Sequence, residues 1–313
     1  MSAIKRSGVV PEALAGERLD KALAALLPDM TRHLARKVIG MGAVFVGPRR
    51  VRRASEPVRA GDVLQATWHP EVLAPEKYEL VILHEDDDVV VVDKPSGQMS
   101  QGSELGDVGT LIHALMRRYG HDIRLMHRLD KGASGVMVAG RNPDATAALT
   151  PQFREHTIER RYLAVTLGVP PDGDCDVAIV QERRLVRAAH PGEKGQHAKS
   201  VVQVVRTFAS PTTGTPRALV AVKLHTGRTH QIRIHLESLG APILGDDEHG
   251  GPHAERLCLH AEVLGFVHPR GHALRFERPL PPDFVSASGL PAAAAEPTPT
   301  AAPTPTPTPE TIP

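Results

Sequence analysis

The stretch MHRLDKGASGVMVAG, residues 126–140, sets His127, Arg128, Asp130 and Lys131 before four small residues and the apolar run Val136-Met137-Val138. A core strand has no use for cations and a carboxylate at its mouth. A surface loop has no use for the apolar run. The pattern predicts a charged constellation mounted on a buried strand, a common way of holding a reactive group rigid. Asp130 is the leading candidate, because Ala133-Ser134-Gly135 leaves room for a ligand beside it. Read alone, the same charges also fit a surface salt-bridge cluster.

A second segment, LHTGRTHQIRIHLESLG at residues 224–240, changes that balance. Ile232, Leu236 and Leu239 follow helical spacing, and Gly240 is a helix terminator. Ile232, Ile234 and Leu236 also alternate, which leaves a strand open, but the terminal glycine favours a helix. Arg228, at the start, is placed to reach a carboxylate, which arginine grips in a planar fork. Ser134 is not read as a nucleophile, since no Gly-x-Ser-x-Gly surrounds it.

The chain of 313 residues is long enough for about two domains. No apolar run approaches the ~18 residues of a membrane span. The two cysteines, Cys175 and Cys258, are far apart, so no disulfide framework is expected and a reducing cytoplasm fits. The 17 histidines come without Cys-x-x-Cys or His-Glu-x-x-His, so no metal is expected. No phosphate-binding glycine loop is present, and no cofactor is implied. The net charge of +1 hides an asymmetry: residues 1–70 carry 12 Lys and Arg against 6 Asp and Glu. That distribution fits a small polyanion-binding module attached to a larger body, or simply a well-solvated domain.

Within that basic region, Leu19, Leu23, Leu26 and Leu27 mark one helical face, stopped by Pro28. Thr31 can cap a second helix carrying Leu34, Val38 and Ile39. AVFV at 43–46 reads as a strand, Gly47-Pro48 as a turn, and VRAGDVLQA at 58–66 as a turn then a strand. Cations gather on the second helix (Arg32, Arg36, Lys37) and after the turn (Arg49, Arg50, Arg52, Arg53). The unit resembles the S4 RNA-binding domain, with Thr31 where the family usually has Ser and Gly47-Pro48-Arg49 where it usually has Asn-Gly-Lys.

Beyond a Pro-containing linker, LVILHEDDDVVVVDKPSG reads as strand, acidic turn, strand and turn, and residues 110–119 as a helix. Later apolar segments (YLAVTLGV, SVVQVV, ALVAVKL, GFV) are short, β-branched and separated by turn residues. Without regular intervening helices they predict an α+β domain with a mixed, mainly antiparallel sheet. The expected boundaries are a flexible N-terminus at 1–14, the S4-like domain at 15–70, a linker at 71–79, the larger domain at 80–286, and a disordered Ala/Pro/Thr-rich tail at 287–313.

The larger domain resembles RNA pseudouridine synthases of the RluA class. The motifs that carry the resemblance are, in order, VVDKPSG, HRLDKGASG, RRYLAVTLG, TGRTHQIRIHLESLGAPILGD, CLHAEVLGFVHP and RPLPPDF. Several ordered motifs are specific where any one is weak. The resemblance implies that Asp130 is the catalytic aspartate and Tyr162 its aromatic partner against the base. It implies that Arg228 pairs with Asp130, that Arg128 fills the space of an extruded nucleotide, and that Leu259 is an apolar wall. Lys94, Pro95 and His127 would be structural support. Ala133 stands where the family commonly has Thr, and Gly97-Gln98-Met99-Ser100-Gln101 replaces a Gly-Leu-x-x-His continuation.

The implied activity is isomerisation of uridine in RNA, with ribosomal RNA of the large subunit expected and transfer RNA the alternative. A non-catalytic RNA-binding or ribosome-assembly protein, and a nucleoside hydrolase, are the other classes weighed. The seven cations of the N-terminal module are expected to contact RNA phosphate. A cytoplasmic monomer with no obligate protein partner is expected.

Overall fold

The computed structural model describes residues 3–68, 78–102, 109–182 and 185–291. The N-terminal module is a four-stranded antiparallel sheet in the order β1 (Ile4–Val9), β4 (Val63–Trp68), β2 (Val44–Val46), β3 (Arg49–Val51). Two helices pack on it, α1 (Leu19–Leu26) and α2 (Arg32–Gly40). Leu19 and Leu23 from α1, Val38 and Ile39 from α2, and Leu64 and Ala66 from β4 make its core. Thr31 caps α2 as its sequence predicts, the hydroxyl accepting from the Leu34 N–H at 3.1 Å.

The expectation of a flexible N-terminus over 1–14 is corrected. Ile4 to Val9 pair in unbroken register with Trp68 to Val63. That ladder covers an edge of β4 that would otherwise be open. A backbone pairing between segments nearly 60 residues apart has no local composition signature. Of the expected linker, residues 71–77 lie outside the described residues.

The larger domain is built on one sheet ordered β10 (Gly173–Cys175), β13 (Ser200–Ala209), β14 (Pro216–Leu224), β9 (Glu159–Leu167), β15 (Leu259–Val267), β8 (Ser134–Gly140), β6 (Val89–Lys94), β5 (Val81–Glu85). Two further strands join it: β16 (Ala273–Glu277) pairs with β15, and β7 (Arg124–Leu125) with β8. A separate hairpin joins β11 (Ile179–Glu182) to β12 (Leu185–Ala188). The pairings are antiparallel except β8 with β15, so the sheet is mixed and mainly antiparallel as expected. Four helices accompany it: α3 (Leu111–Tyr119), α4 (Pro143–Arg154), α5 (Gln231–Ser238) and α6 (Pro282–Ser288).

The β8–β15 contact explains the glycine of the opening motif. Gly135 has φ +119°, and a Cβ there would lie 2.1 Å from the Ala261 carbonyl oxygen. Only glycine permits that approach. All seven residues of β8 are buried, which fixes the chain just before it. The tail boundary at 287 is also corrected. Ser288 is fully buried and Leu290 is 4% exposed in the main core, so the fold continues to at least residue 290. Residues 292–313 lie outside the described residues.

Candidate active site

Asp130 sits in the turn that leads into β8. Its loop is held from below by the Lys-Pro segment. Gly97 N–H donates to the Lys131 carbonyl at 2.8 Å, and the Ser96 hydroxyl donates to Gly132 O at 2.7 Å. Ser100, buried, donates to Leu129 O at 2.7 Å and accepts from Leu129 N–H at 3.0 Å. Lys94 is fully buried beneath this clamp. Its ammonium donates to Gln98 O at 2.7 Å, Pro95 O at 2.9 Å and, at the limit, Lys131 O at 3.5 Å. Burial, then repulsion from Arg256, push the Lys94 pKa down to about 7 against the pull of Asp130 and Asp93. Lys94, read as structural support, thus ties its own turn, through Pro95 and Gln98, to the Asp130 loop, through Lys131.

The loop opens onto a cavity of about 690 Å³ whose walls include Asp130, Tyr162, Leu259, Arg128 and Arg228. With His127, which also lines it, six of the residues singled out from sequence therefore meet at one place. Asp130 is the one carboxylate among the described residues that line it. Tyr162, on β9, stands across β15 from the loop, in register with Ala261. Burial raises its pKa, with Asp130 adding to the rise and Arg160 opposing it. Its hydroxyl is left free of hydrogen bonds to the described residues.

The expected Asp130–Arg228 pair does not form. The Arg228 Nε donates instead to His197 O at 3.0 Å. The cation beside Asp130 is Arg233, with Nη1 3.6 Å from Asp130 Oδ2. Arg233 is gripped by Asp246 through two hydrogen bonds, at 2.7 and 2.5 Å, and by Glu248 at 2.8 Å. Burial disfavours its charge, but these carboxylates outweigh that and raise its pKa. The physical reason for the reassignment is where α5 begins. Arg228 lies in the loop before α5, whereas Arg233 lies within it, where residues 231–236 are all buried. A cation embedded between Ile232 and Ile234 was the signal available in sequence, since a buried arginine requires a carboxylate.

His127 lies against the Phe153 ring, 5.2 Å between centroids, and its Nε2 accepts from the Val138 N–H at 3.4 Å. Burial, then Arg160, push its pKa down to about 3, which suits a neutral acceptor rather than an acid. A second support was not legible: Arg256 donates to Ser134 Oγ at 2.7 Å, which contacts His260 Nδ1 at 2.8 Å behind the loop.

Several cations of the N-terminal module have internal partners. Arg18, Arg32 and Arg36 converge on Asp20, at 3.0, 3.2 and 2.7 Å. Burial works against the Asp20 charge, but these hydrogen bonds hold its pKa well below the carboxylate range. Arg49 pairs with Glu56, Arg50 lies over the Phe45 ring, and Arg53 comes within 3.9 Å of Asp122. Arg52 packs over Gly42, while Lys37 is half-buried.

Comparison with known proteins gives this geometry its context. Residues 88–238 match the family model described as RNA pseudouridylate synthase. Residues 17–64 match the S4 domain. The chain is 37% identical over 301 residues to an RNA pseudouridine synthase of Chloroflexus aurantiacus, covering 90% of this chain and 92% of that one. It belongs to the RNA pseudouridine synthase family, in the RluA group. It is therefore an isomerase with an S4 domain at its N-terminal end. It is also 34% identical to the ribosomal large subunit pseudouridine synthase D of Xanthomonas campestris, covering 89% of this chain and 90% of that one. Human RNA Pseudouridylate Synthase Domain Containing 1 superposes with a TM-score of 0.56 at 25% identity, covering 65% of this chain and 84% of that one.

Proposed function

We propose that this synthase isomerises specific uridines of large-subunit ribosomal RNA, with Asp130 acting at C1′ of a uridine extruded into the cavity. The observation that carries the chemistry is a carboxylate, the one among the described residues lining the cavity, 3.6 Å from a fixed guanidinium, with a buried tyrosine in the same wall. Breaking the N1–C1′ bond builds positive charge on the sugar, which a carboxylate stabilises or attacks, as in glycosidases. The C5–C1′ bond then forms, the C5 proton is lost and N1 gains one, so the product has the mass of the substrate. Arg233 sets a fixed positive charge beside the Asp130 carboxylate and holds it at the cavity wall. Tyr162 and Leu259 wall the base. Arg128, exposed at the rim, is suited to fill the place the base leaves and offset lost stacking.

Ribosomal RNA is favoured over transfer RNA by similarity to relatives such as the ribosomal large subunit pseudouridine synthase D of Xanthomonas campestris. The N-terminal cations supply phosphate contacts that position the RNA. We take the working form to be a cytoplasmic monomer. Two buried, unpaired cysteines fit a reducing compartment. The test is pseudouridine mapping of total RNA from a deletion strain and its parent, paired with pure Asp130→Asn. The expected result is loss of one or more large-subunit sites and no detectable turnover by the variant, with RNA binding retained. Lost sites confined to transfer RNA would redirect the substrate. Turnover by Asp130→Asn would remove the carboxylate from its central role.

A further inference from the structure

Among the described residues, the cavity sets Arg128, Lys131, Arg160, Arg228 and Arg233 against a single carboxylate. Arg233 is balanced by Asp246, Glu248 and Asp130. Arg160 is not balanced. It is 7% exposed, and no carboxylate among the described residues pairs with it. Its Nη2 donates to His156 Nδ1 at 3.2 Å and, weakly, to Thr226 O at 3.5 Å. Its Nε is buried with no hydrogen-bond partner among the described residues. A buried guanidinium without a counter-ion is costly, and burial accordingly depresses its pKa.

The surroundings keep space for that charge rather than neutralise it. A Cβ on Gly227 would lie 2.9 Å from Arg160 Nη1, so any other residue there would press on the guanidinium. His156 accepts from Arg160 through Nδ1, which places the proton of the neutral ring on Nε2 as a donor. His156 holds φ at +56°, a left-handed conformation that a non-glycine residue adopts only where its surroundings hold it there. Arg228, displaced from its expected partner, makes no ion pair with the described residues and lies on the same wall. Three donors with no acid among them thus meet beside the base pocket. Arg160 and Tyr162 are two residues apart on β9, so both project from the same face.

We propose that Arg160, His156 and Arg228 form a subsite for a backbone phosphate of the RNA strand next to the extruded uridine. The assignment rests on the reading that a uridine enters this cavity. A planar fork with a second guanidinium matches phosphate oxygens, and a bound phosphate would supply the counter-charge that Arg160 lacks. The subsite would fix the strand's position so that C1′ meets Asp130, and it carries no sequence information.

The test uses full-length protein in the Asp130→Asn background and a fluorescent uridine nonamer, with affinity measured across a salt series. Arg160→Gln is expected to weaken binding about 10- to 100-fold, the loss of a hydrogen bond to a charged group. The slope of log affinity against log salt should flatten by about 0.7, one single-strand phosphate contact. Arg160→Lys should keep the slope while losing part of the affinity. With Asp130 restored, Arg160→Gln should raise KM on undermodified large-subunit RNA more than it lowers kcat. Unchanged affinity and slope in Arg160→Gln would overturn the subsite, as would a fall in kcat at constant KM. If Arg160→Gln does not fold, Arg228→Gln, at an exposed position, must show the reduced slope or the proposal is wrong. Turnover by the Asp130→Asn protein would sink the role of Asp130 while leaving this binding measurement intact.

Discussion

Replacing Lys94 with methionine separates two effects that a buried lysine combines. The side chain is fully buried, and its pKa lies at about 7. In the unfolded chain it titrates near 10.4. The folded pKa is therefore the lower one. Below pH 7 both states hold the proton, and the native state bears the whole cost of the buried charge. Between about 7 and 10 the unfolded chain binds more protons, so this residue makes stability rise with pH. The full displacement corresponds to about 4–5 kcal/mol, of which about 3 kcal/mol is recovered between pH 6 and 9.5. Methionine keeps the volume and removes the titration. It also leaves the Gln98 and Pro95 carbonyls short of a donor, at roughly 1–3 kcal/mol each, a cost that does not depend on pH. The stability difference between the wild type and Lys94→Met should thus shift by about 3 kcal/mol, in favour of the wild type, as pH climbs from 6 to 9.5. Urea unfolding of both proteins at four or five pH values measures it. Turnover should fall at every pH, because the clamp under the Asp130 loop is lost. A stability difference constant to within about 1 kcal/mol over that range would refute the reasoning, by showing that the three carbonyls hold the lysine charged throughout.

Arg233→Met should cost about 3–5 kcal/mol and abolish turnover, because fully buried Asp246 loses its partner. Arg228→Met, in contrast, should stay within about 0.5 kcal/mol of wild type in the same unfolding assay. Tyr162→Phe is expected to bind RNA normally and to lose about 10²–10⁴-fold in kcat if the hydroxyl moves a proton; equal rates would leave Tyr162 a packing role only. Asp20→Asn should loosen the N-terminal module by about 1–3 kcal/mol at neutral pH. Since the folded pKa of Asp20 is depressed, its contribution is complete above about pH 4 and fades as pH falls through the carboxylate range. Acid unfolding followed by circular dichroism should therefore be flatter below pH 4 in the variant, and parallel curves would show that Asp20 is not the group responsible.

Sequence alone determined the elements whose cause is local. Thr31 caps its helix because a hydroxyl accepts from the N–H three residues on. Val136 to Val138 form a buried strand because nothing else accommodates three apolar residues after a charged turn. The ordered motifs placed Asp130, Tyr162 and Leu259 around one cavity. Tertiary structure decided what depends on phase and on distant partners. Arg228 and Arg233 are five residues apart with the same chemistry, and the buried position of Arg233 within α5 brings it, not Arg228, to Asp130. Likewise β1 exists because β4 offers it an edge, and Leu290 is ordered because the main core accepts it. Arg160 looks in sequence like one more cation before a strand. Its isolation from every described carboxylate, over a glycine that makes room for it, is a property of three segments that meet only in the fold.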